Sequence, residues 1–143
     1  MTISIAKAKR ALSDADSAYS KFQDNPIDVD FRHLIVLCLT LLRVVGHVVD
    51  KENSGESKKK VNAYYKAHIK NVDLFRFFIE EYRNNLLKTY TSKISWQSMT
   101  TLDNEHRMDY LLEAGHYAGR DIRDLIKESI AFWDDHLDKI AQL

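Results

Sequence analysis

Helix breakers are scarce in this sequence: one proline and four glycines in 143 residues, against ordinary shares of about 5% and 7%. So few turn formers exclude a many-turned sandwich or barrel, a collagen-like chain and a glycine-rich linker. Cysteine occurs once, at Cys38. A lone cysteine makes no internal disulfide, and no Cys/His pair beside it points to zinc. No apolar run reaches the roughly 20 residues of a membrane-spanning helix. The strongest, Leu34 to Val49, is interrupted by Arg43 and His47 and reads as a buried core helix. The first ten residues have neither an apolar core nor a signal-like cleavage pattern, so the expected compartment is the cytoplasm, with no membrane. Net charge is also missing: 21 Lys and Arg balance 21 Asp and Glu. That balance argues against a strongly basic nucleic-acid binder and against an acidic tail.

What is present is apolar surface, 45% of residues, enough to bury a core and to argue against disorder. The length suits one domain, residues 1–143. The zero charge is a sum of unlike halves. Residues 1–70 carry 12 basic and 8 acidic side chains, giving +4, and residues 71–143 carry 9 and 13, giving −4. The basic excess gathers at 51–70 and the acidic excess at 121–143.

Apolar spacing of three and four residues predicts a helix over about 2–23, carried by Ile5, Ala8, Leu12, Ala15, Tyr19 and Phe22. Asp24-Asn25-Pro26 stops it. A second helix is expected over about 29–51, apolar nearly all round, which calls for cover on every side and points to a homodimer. A polar loop at 52–60 and a short helix at about 57–69 follow. The third main helix is expected over about 72–89, with Arg76, Glu80, Arg83 and Leu87 on one face and Glu80 within reach of both arginines. Residues 90–103, rich in Thr and Ser, read as a long loop pinned by Trp96. Residues 104–142 read as a fourth helix of roughly 55 Å at 1.5 Å per residue, too long for its neighbours unless Gly115 and Gly119 kink it or let helices approach closely. The expected class is all-α: an up-down bundle of four to five helices with a long or kinked C-terminal helix.

The stretch Phe77-Phe78-Ile79-Glu80-Glu81-Tyr82-Arg83-Asn84-Asn85-Leu86-Leu87-Lys88 carries the most information. It resembles the end of the third helix in the HEPN superfamily, whose motif is an Arg followed by a polar residue, with a His four to six residues after the Arg. The resemblance covers roughly residues 29–90. It implies a bundle of four or five helices that dimerises, and for active members metal-independent endoribonuclease activity without a cofactor. It also implies, for many members, a nucleotidyltransferase as protein partner. Arg83-Asn84 matches the start of the motif, whereas Lys88, Thr89 and Tyr90 stand where the His would fall. A lysine, with an ordinary pKa of about 10.4, stays charged and does not exchange protons near neutral pH. Arg83 can hold a phosphate but cannot move a proton. The expectation is therefore a non-catalytic or weakly active module, with Arg83, Asn84, Lys88 and Glu80 as the candidate site for RNA, a nucleotide or a protein partner.

Two alternatives stand beside it. One is an endoribonuclease of toxin or defence type in which Lys88, or a histidine from elsewhere such as His47, replaces the missing His. The other is a purely structural interaction bundle. Arg43 and His47, four residues apart, share a face of the second helix and form a candidate polar pair at an interface. Glu113-Ala114-Gly115-His116 is a single Glu-x-x-His, whereas a helical di-metal site needs two plus further carboxylates. No metal is expected.

Overall fold

A computed structural model describes residues 2–100 and 106–143. Helix takes up 71% of the structure, so the chain is mostly helical. The order is α1 (Ala6–Ser20), a 3-10 turn (Lys21–Asp24), α2 (Asp28–Lys51) and α3 (Gly55–Tyr64). A π-helical turn (Tyr65–Ile69) and a π-helical segment (Leu74–Tyr82) lead into α4 (Arg83–Thr89). Then come β1 (Ile94–Thr100), β2 (His106–Leu112) and α5 (Ile122–Ala141).

Expected and observed helices agree over α1, α2 and the third main helix. Asn25, at φ +48°, turns the chain before Pro26. Helix α2 buries Phe31, Ile35, Cys38, Leu39, Leu42, Val45 and Val49 against α1 and α5. It is long and apolar enough to cross a membrane by length and composition, yet these seven side chains lie in the protein core. Burial pushes the Cys38 thiol up to about 12, so it behaves as a small apolar group. The start of α1 is capped from the end of α2. Glu52 accepts from Lys7 N at 3.0 Å and Ala8 N at 3.2 Å, and Asn53 bonds Ser4 N and Ser4 O, both at 2.9 Å. A carboxylate there answers both the free N–H groups and the helix dipole.

Three expectations need correction. The loop at 52–60 is shorter, because α3 already starts at Gly55. The all-α class gives way to a helical fold with one antiparallel hairpin, in which Trp96 opposes Tyr110 and Ile94 opposes Leu112. Residues 90–103 are thus not all loop, and residues 106–112 are not helix. Met108, Leu111 and Leu112 fit a helical stripe, but Met108, Tyr110 and Leu112 fit a strand equally well, and short apolar runs do not separate the two periods. The C-terminal helix accordingly starts at Ile122, 20 residues long. Gly115 and Gly119, at φ +90° and +85°, form the turn before it. Gly119 N donates to Leu112 O at 2.8 Å and Leu112 N to Arg120 O at 3.0 Å.

Asp121 welds hairpin to helix. Its carboxylate caps α5 by accepting from Arg123 N at 2.8 Å and also accepts from Tyr110 N at 3.2 Å. Arg123 pairs with it at 3.0 Å, donates to Met108 O and lies 4.7 Å from the Tyr110 ring centre. The buried apolar side chains form one cluster from Ile3 to Ile140. At its centre α2 and α5 approach closely over Gly46, where an added Cβ would come within 3.1 Å of the Trp133 ring.

Candidate functional site

The polar residues of α2 meet the π-helical segment just before α4. Arg43 is largely buried, with its guanidinium 5.5 Å from the Phe75 ring centre and 3.5 Å from the Glu80 carboxylate. Among the described residues Glu80 therefore pairs with Arg43 and not with Arg76 or Arg83. Glu80 lies in the π-helical segment Leu74–Tyr82, which packs on α2. Arg76 instead lies 5.1 Å from the Phe77 ring centre.

Arg83 stands at the junction where the π-helical segment becomes α4. One of its terminal nitrogens donates to Asn84 Oδ1 at 2.7 Å, while its Nε is buried without a hydrogen-bond partner. His47 feels both arginines. Burial lowers its pKa from 6.5, and the positive charges of Arg43 and then Arg83 lower it further, against the opposing Asp50. His47 is thus neutral at neutral pH and able to accept a proton. Tyr65 closes the same side. Its hydroxyl pKa is raised by burial and by Glu80, with Arg43 acting the other way. Beside this cluster lies a cavity of about 210 Å³ lined by Arg43, Gly46, His47, Asp50, Tyr65 and Trp133. Asp50 Oδ1 and Trp133 Nε1, both on its lining residues, have no hydrogen-bond partner.

The fold thus joins two groups that the sequence presents separately, Arg43 with His47 and Arg83 with Glu80. It does not join Arg83 to Lys88. Five residues at about 100° each put them about 140° apart around α4. Lys88 is exposed, on the side it shares with Asn84. Arg43 is the arginine that pairs with Glu80, three residues before Arg83. Glu113-x-x-His116 lies in the connection between β2 and α5, not on a helix. There His116 stacks on Phe77 at 4.2 Å and its Nε2 lies 3.7 Å from Asp73. The Arg43–Glu80 pairing and the place of Tyr65 carry no signal in the sequence, because helix-to-helix neighbours follow from packing and not from spacing.

No family model matches the chain, and no curated protein and no solved structure matches it.

Proposed function

We propose that this protein is a HEPN-like helical module that holds a phosphate group of RNA or of a nucleotide between Arg43 and Arg83, without cleaving it. One observation carries the reading: Arg83 keeps a buried, unpartnered N–H three residues after the Glu80 that pairs with Arg43. Two guanidinium groups from different helices, with one carboxylate, Glu80, paired with them among the described residues, favour an anion of phosphate geometry. In this reading the helices run in up-down order and the molecule is a cytoplasmic homodimer. Its twofold interface covers the outer stripe of α2, where Leu37, Leu41, Val44 and Val48 remain at least partly exposed. A protein partner such as a nucleotidyltransferase would then meet an assembled dimer.

The test is binding of a short labelled RNA by fluorescence anisotropy at two salt concentrations. Arg83→Ala weakens binding about tenfold and flattens its salt dependence. An Arg83→Ala protein that folds and binds as tightly as the parent sinks the reading.

A second reading rests on His47 itself. Its lowered pKa supplies the proton acceptor that Lys88 cannot, so the site fits a metal-independent endoribonuclease in which His47 takes the place of the family's histidine. RNA degraded by purified protein in the presence of a chelator, with loss of the activity in His47→Ala, decides for it. Intact RNA under the same conditions decides for binding alone.

A further inference from the structure

We propose that the groove between the end of α4 and the N-terminal half of α2 is a base-stacking subsite for single-stranded RNA. It lies on the same two helices as Arg43 and Arg83, and the inference rests on those arginines holding RNA phosphate. The groove has a volume of about 360 Å³ and is lined by Asp28, Arg32, Leu86, Tyr90 and Trp96, among others. Two aromatic rings lie open along it: Tyr90 is 57% exposed and Trp96 37%. The Trp96 ring is held by its edge against Phe31, with ring centres 4.9 Å apart. The Arg32 guanidinium lies 5.9 Å from the Tyr90 ring centre. A fixed indole, an open phenol and a planar cation are the groups on which unpaired bases stack, whatever their sequence.

Tyr90 adds a second argument. It ends α4 at φ +53°, a conformation that disfavours any residue but glycine, asparagine or aspartate. Its largely exposed ring contributes little to the core, so the strained position presents an aromatic surface to solvent. Asp28, at φ +50°, shares the groove and supplies an acceptor for a base amino group or a ribose 2′-hydroxyl.

Helical register joins the two sites. Arg32 and Arg43 are eleven residues apart, which places them within about 20° on α2 and about 16 Å apart along its axis. Arg83 and Tyr90 are seven apart, again within about 20° on α4 and about 10 Å along it. Groove and arginine cluster are thus two places on the same pair of helices, with the buried Leu39 between Arg32 and Arg43 on α2, far enough apart to take separate nucleotides and not one phosphate alone.

Tryptophan fluorescence tests this directly. The chain has two tryptophans, and Trp133 is fully buried, so only Trp96 can be quenched by contact with a base. A single-stranded RNA hexamer of mixed sequence is expected to quench the emission saturably. Tyr90→Ala is expected to weaken hexamer binding about tenfold and Tyr90→Phe to preserve it. Trp96→Phe, which keeps an aromatic ring against Phe31, is expected to abolish the quenching. Hexamer binding that depends on Arg83, yet leaves Trp96 unquenched and tolerates Tyr90→Ala, overturns the stacking subsite and leaves the phosphate site standing. Equal affinity for duplex RNA also overturns it, since paired bases are not free to stack on side chains. Absence of hexamer binding at low salt overturns both.

Discussion

At the scale of the residue, His47 reports on the whole site. Its pKa lies below 6.5 because burial and the positive charges of Arg43 and Arg83 disfavour its protonation. The unfolded chain binds a proton near pH 6.5 more readily than the folded one does, so this contribution to stability is complete above that pH. It is lost as pH falls through the depressed value. Arg83→Ala removes one of the opposing charges, and the His47 ring resonances should then titrate at higher pH in an NMR series. An unchanged titration would show that the two side chains do not share a field. Much of this site is legible in the sequence as residue types. Arg43 with His47, and Glu80 with Arg83, stand out at helical spacing as polar groups among apolar ones. Their meeting is not legible, since it depends on how α2 lies against the third main helix. Lys88, near Arg83 in number, lies about 140° from it around α4, an angle that the helical count alone supplies.

At the scale of the element, the helices before residue 90 follow from periodicity, and the hairpin does not. Trp96, Tyr110 and Leu112 owe their strand conformation to packing on Phe31 and to the carboxylate of Asp121, both distant in sequence. The π-helical step at Leu74–Tyr82 is equally silent, because its residues are ordinary helix formers and aromatics. Breaker residues remain informative even where the element is misassigned. Gly115 and Gly119 mark the end of a segment, and that segment is a strand. Gly119→Ala places a Cβ at φ +85°. It should cost about 1–2 kcal/mol in a urea denaturation series without altering RNA binding. A neutral effect would mean that the turn before α5 has another conformation.

At the scale of the whole molecule, α2 organises three directions at once. One side enters the core through Ile35, Leu39, Leu42 and Val49, and a second carries Arg32, Arg43 and His47. A third, with Leu37 at 47% exposure, is half-covered apolar surface. Covering that third side with a second copy would complete the burial that its composition demands. Sedimentation should accordingly give a mass of twice 16.7 kDa. Leu37→Asp should return it to one copy with its helix content intact, and a wild-type monomer at micromolar concentration would remove the dimer from the account. The balanced net charge takes on a local meaning here. In the proposed reading the positive charge that matters is that of two arginines on different helices, which no overall count reveals.

In the proposed function, Arg43 and Arg83 grip one phosphate together. A double-mutant cycle on RNA affinity tests it most directly, with Arg43→Ala, Arg83→Ala and the double variant each checked for helix content. If one phosphate is shared, the double variant loses little more affinity than either single one. Losses that simply add would mean two independent contacts and would contradict the shared site.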